Sequence, residues 1–78
     1  MRLVNFLSSL TKPELEKLIN LLNLSEEEEE VFWLVSRRQT KVYIAFECSS
    51  SISTVSNRIK SITDKIKRLE NGGYYKFE

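Results

Sequence analysis

Four hydroxyl residues, Thr11, Ser25, Thr40 and Ser51, each stand just ahead of a stretch whose apolar side chains recur at helical spacing. A side-chain oxygen at such a point accepts from a first-turn amide that has no acceptor within the helix, so each marks a helix start. Two are reinforced. Glu14 lies three residues after Thr11 and Glu28 three after Ser25, the spacing of a reciprocal capping box. Pro13 fits the same reading, because a first-turn position has no internal hydrogen bond to lose. A chain of 78 residues divided in this way holds short helices and tight turns. The expected fold class is all-α, in one small domain.

The apolar pattern fills in the elements. Leu3, Phe6, Leu7 and Leu10 recur at i, i+3, i+4 and i+7, one stripe of a first helix, and Leu15, Leu18, Ile19 and Leu22 repeat it in a second. Together they form an expected helical hairpin over residues 1–23. In the third helix, residues 26–30 are all Glu and sit at the positive end of the helix dipole, as a solvated start or, more sharply, as a patch for a protein partner. Val31, Leu34 and Val35 then face the core, with Phe32 at its margin. The fourth helix centres on Tyr43, Ile44 and Ala45, the last of these small enough for a close helix crossing. Cys48 turns inward as a small hydrophobe, since the chain has no His to activate a thiol.

Ser49, Ser50 and Ser51 supply a turn, because serines compete with helix for backbone hydrogen bonds. From Ser51 a long fifth helix follows, with Val55, Ile59, Ile62, Ile66 and Leu69 stepping by four and three. Gly72 and Gly73 are expected to end it. Tyr74-Tyr75-Lys76-Phe77 is too short for a further helix and reads as an extended aromatic tail, laid on the core or on a partner chain.

Charge is distributed unevenly. Residues 1–30 hold three basic and seven acidic side chains, net −4, whereas residues 31–69 hold eight basic and two acidic, net +6. The last nine add one basic and two acidic, which restores the overall +1. A basic half is what a phosphate-facing surface needs. No apolar run approaches the roughly 20 residues of a membrane span, and the first ten residues lack an A-x-A cleavage site. Cys48 has no partner for a disulfide, which suits a cytoplasmic location.

Ten residues separate Ile44 from Thr54, a spacing that suits two short helices joined by a tight turn. The pair Ile44-Ala45, then Ser51, Thr54-Val55, Ile59, Ile62 and Lys65-Ile66, resembles the helix-turn-helix shared by LuxR-type regulators and region four of bacterial sigma factors. Leu24-Ser25 with Glu28, Glu30 and Val31 extends the likeness toward the N-terminus, so that it covers about residues 24–69 without a gap. The resemblance implies a trihelical helix-turn-helix over residues 24–70, preceded by the hairpin of 1–23 and followed by a tail over 71–78. Departures from the family pattern are Glu27 and Glu29 where Arg is frequent, Arg38 in place of a Gly, Ser50 in place of an apolar turn residue, and Trp33 at a usually polar surface position. Trp33 is expected to be covered by the hairpin or by a second subunit.

Residues 51–69 would then form the recognition helix, whose N-terminal part enters the major groove. Its polar face carries Ser53, Ser56, Asn57 and Lys60, with Ile52 and Thr54 beside them. By analogy the groove-reading positions fall on Ser56, Asn57 and Lys60. Asn57 suits adenine, Lys60 suits guanine or phosphate, and Ile52 suits a thymine methyl. Arg58 lies on the flank for a phosphate, and Thr40, Lys41, Arg37 and Arg38 precede or open the helix that would cross the backbone.

The leading expectation is therefore a sequence-specific DNA-binding regulator, acting on double-stranded DNA as a homodimer. Its interface would come from residues 62–69, the first-helix stripe or the aromatic tail. The alternative is a sigma-like or anti-sigma module that binds RNA polymerase or another transcription factor without specific DNA contacts. An enzyme is not expected: there is no His, no Gly-rich phosphate loop and no carboxylate pair in an apolar setting. Neither a cofactor, a metal nor a membrane is expected to take part.

Overall fold

Each of the four hydroxyl residues caps a helix in the computed structural model. The structure describes residues 2–71, as α1 (Leu3–Ser8), α2 (Lys12–Leu22), α3 (Glu26–Ser36), α4 (Lys41–Glu47) and α5 (Ile52–Asn71). Thr11 and Ser25 form complete capping boxes with Glu14 and Glu28. The Tyr43 amide donates to Thr40 Oγ1 and the Thr54 amide to Ser51 Oγ, both at 3.1 Å. Among the described residues there is no strand, and no helix is long and apolar enough to cross a membrane. The glycine stop and the aromatic tail expected at residues 72–78 lie outside the described residues.

Helix α5 organises the packing. Its 20 residues span about 30 Å at 1.5 Å per residue, close to the 35 Å long axis of the molecule. It packs on α2, α3 and α4, and α1 packs on α3. Val55, Ile62 and Ile66 are fully buried against Leu7, Leu18, Val31, Phe32 and Ile44, in one core to which all five helices contribute. Two details differ from the expected pattern. Phe32 lies at the centre of the core and Leu34 is only half-buried at its edge, because α3 turns Val31, Phe32 and Val35 inward together. Nor is the stripe of residues 62–69 available to a second copy, since Ile62 and Ile66 are already enclosed.

Trp33 is half-buried and packs edge-on against Phe32, with ring centroids 5.7 Å apart. Beside it runs a groove of about 580 Å³ that Lys12, at the start of α2, and Tyr43 also line. The N-terminal segment thus covers this indole only in part.

The acidic start of α3 does more than face solvent. Lys65 Nζ donates to Glu28 Oε1 at 2.7 Å and Ser61 Oγ to Oε2 at 2.6 Å, while the Ser25 amide completes the set at 3.1 Å. One carboxylate thereby closes its own helix cap and ties α3 to α5 across 37 residues of sequence. Burial by itself would raise the Glu28 pKa; the bonds from Lys65, Ser61 and Ser25 outweigh it and hold the group at about 2.

Two consequences can be measured. Glu28→Gln should destabilise the protein by about 1–3 kcal/mol at neutral pH, since it removes charge-assisted bonds and leaves Lys65 without its partner. Because the folded-state pKa is depressed, this stabilisation is full above the unfolded value near 4.5 and fades as pH falls toward about 2. Denaturant melts of both proteins should therefore converge over that window; a constant difference at every pH would contradict the assignment.

Candidate nucleic-acid interface

The joint between α4 and α5 is built by one repeated backbone device. At the end of α3 the Gln39 amide donates to the Leu34 carbonyl and the Arg38 amide to Val35, with Arg38 at φ 62°. At the end of α4 the Ser50 amide donates to Ala45 and the Ser49 amide to Phe46, with Ser49 at φ 52°. Both are Schellman closures, in which a left-handed residue lets the chain turn back and satisfy the last carbonyls. Arg38 thus occupies a left-handed position that glycine takes without strain.

The turn is pinned by polar contacts. Ser50 Oγ donates to the Cys48 carbonyl at 3.1 Å and accepts from Arg58 Nη1 at 3.2 Å. Ser50 and Arg58 together do what an apolar turn residue does by burial. Cys48 is half-buried beside them; burial first, then the Glu30 carboxylate, push its thiol up to about 11, so it stays protonated at neutral pH.

Rotation of α5 follows from its buried spine. With Val55, Ile62 and Ile66 turned inward, Ser53, Asn57 and Lys60 are exposed, sharing one face at intervals of four and three. Ser56 is half-buried at the edge of that face. Thr54 is half-buried, and its hydroxyl pairs with Ser51 Oγ at 2.9 Å, within the cap. Arg58 is half-buried and held by Ser50 as described. Thr40, Lys41, Arg37 and Arg38 are all exposed around the start of α4. Along the same face exposed Asp64 follows Lys60 by four residues and exposed Lys67 follows Asp64 by three, so an acidic position separates two cations. The amino end of α5 also carries the positive pole of the helix dipole.

Sequence reasoning overlooked two side chains on α4. Val42 is 65% exposed and Phe46 is 74% exposed, on a common face, while Ile52 at the start of α5 is 49% exposed. The signal was present in the helical wheel: once Ile44, Ala45 and Cys48 point inward, positions 42 and 46 must point out. Among the described residues no group of three or more His, Cys, Asp and Glu side chains is placed to hold a metal ion.

Comparison of the chain with protein-family models, curated proteins and solved structures gives no match. The site is therefore read from its own geometry and chemistry.

A left-handed conformation strains a side chain with a Cβ, and glycine relieves that strain at the expense of a more flexible unfolded chain. Arg38→Gly and Ser49→Gly should each stabilise the fold by roughly 0.5–1 kcal/mol in denaturant melts. Asn23, left-handed at the end of α2, already suits that region, so Asn23→Gly should change little. Arg58→Met should lower stability by about 1 kcal/mol through the freed Ser50 turn, and the loss should be absent in a Ser50→Ala background.

Proposed function

We propose that this protein is a small DNA-binding regulator in which α4 and α5 form a helix-turn-helix and the amino end of α5 reads the major groove. Here α1, packed on α3, and α2, packed on α5, buttress the three following helices. The observation that carries the reading is the exposed row of Ser53, Asn57 and Lys60, opposite the buried spine of α5 and on the basic half of the chain. Short hydroxyl and amide side chains admit close approach to base edges, Asn57 suits bidentate contact with adenine, and Lys60 suits guanine or phosphate. Lys41, Thr40, Arg37 and Arg38 supply phosphate contacts on the flank, which fix orientation rather than sequence. Arg58 supports the turn and so acts on binding through the position of α5. Thr54 acts in the same way through the cap.

A single copy presents few cations, so a homodimer on half-sites about one helical turn apart suits the affinity such a regulator needs. With Ile62 and Ile66 enclosed, the exposed apolar face of Val42 and Phe46 is a surface open to a second copy. The same face supports a second reading, a module that docks on RNA polymerase or another transcription factor with no specific DNA contact. Apolar side chains this exposed are a common mark of protein contact.

Selection from random duplexes followed by gel shifts separates the two readings. Asn57→Ala and Lys60→Ala should each weaken binding to the selected site by about 1–3 kcal/mol, whereas Lys41→Ala should weaken all duplexes alike. Absence of binding at both low and moderate salt would remove the DNA reading and leave the protein-contact one.

A further inference from the structure

A second concavity lies away from the groove-reading face, where the start of α1, the α3–α4 turn and the middle of α5 meet. It encloses about 570 Å³, within the range of about 300–1,000 Å³ usual for small-molecule sites. Its floor is apolar, formed by Leu3, Val35, Ile44 and Ile59. Arg2 and Lys41 stand at its rim, both exposed, and no carboxylate lines it. Gln39 adds a side-chain amide. The Thr63 hydroxyl, also in the lining, donates to the Ile59 carbonyl at 2.8 Å, which leaves the oxygen lone pairs as its remaining capacity.

This arrangement is selective by charge. An apolar body gains by displacing water from Val4 and Ile59, the half-buried apolar side chains of the lining. A cation would meet Arg2 and Lys41 with no carboxylate in the lining to neutralise them, and an anion would meet two cationic donors. The shape and polarity fit a small molecule with one acidic head and a compact hydrocarbon body.

We infer that the cleft between α1, α3, α4 and α5 binds an amphipathic organic carboxylate, its head held by Arg2 and Lys41 and its body on Val4 and Ile59 above the buried Val35 and Ile44. Bound there, the ligand bridges four helices and braces the first turn of α4 against α5. Binding to the free protein is independent of the duplex reading. One consequence does rest on that reading: Lys41 is also assigned to a phosphate, so ligand and duplex would compete for the same cation.

Titration of the free protein with decanoate, below its micelle-forming concentration, tests the inference by methyl NMR. Saturable shifts at Val35, Ile44 and Ile59 are expected, with decanoate binding at least tenfold tighter than the uncharged decan-1-ol. The Arg2→Ala/Lys41→Ala double variant changes only exposed side chains. It should melt as the wild type does, lose most of its decanoate affinity and keep its decanol affinity. Absence of saturable shifts, equal affinity for acid and alcohol, or an unchanged affinity in the double variant would each overturn it. Since no DNA is present, failure of the duplex reading leaves this result untouched.

Discussion

The burial of Val55, Ile62 and Ile66 on a single face of α5 is the constraint from which the rest of the structure follows. Each such side chain contributes roughly 1.5–3 kcal/mol when fully buried, a large share of the stability open to a chain this small. α5 therefore cannot rotate about its axis without giving up much of the core. That rotation decides which polar side chains face water, because successive residues advance by a fixed angle round the helix. Lys65 and Ser61, held by Glu28, lock the same rotation from the flank. Core and clamp together leave Ser53, Asn57 and Lys60 outside.

The turns show how a chain poor in glycine makes sharp reversals. Its two glycines, Gly72 and Gly73, fall beyond the joints, so Asn23, Arg38 and Ser49 take the left-handed conformation instead. The strain at Arg38 and Ser49 is sustained by the two Schellman hydrogen bonds at each. At the α4–α5 joint the Ser50–Arg58 contact adds a side-chain tether. Directly after it, α5 begins with an exposed isoleucine and an exposed serine. A turn stiffened by hydrogen bonds holds that end of the helix in a defined position.

Local signals were readable before any coordinates, and long-range ones were not. Caps at Thr11, Ser25, Thr40 and Ser51 act within one helical turn, so spacing alone revealed them. The inward row of α5 followed from period 3.6 in the same way. Phe32 was misplaced because Val31, Phe32 and Val35 spread over a wide arc of α3, and only the packing of α1 and α5 on α3 decides which part is enclosed. Pairing of Glu28 with Lys65 joins residues that no sequence pattern couples. The exposed face of Val42 and Phe46 follows from the helical wheel once Ile44 and Ala45 are turned inward. Arg58, read as a flank cation, has its partner in the turn, a contact that depends on the fold of residues 48–51.

A DNA-facing role for α5 makes a spatial demand beyond affinity: the duplex must lie along the amino end of that helix and nowhere else of consequence. Mapping of backbone amide shifts on titration with a short duplex examines this directly. Salt-sensitive shifts concentrated at residues 52–60 and 37–41, with the acidic start of α3 and the whole of α2 unmoved, are the predicted result. Shifts centred on Val42 and Phe46 with residues 53–60 silent, or no shifts at low salt, would contradict it.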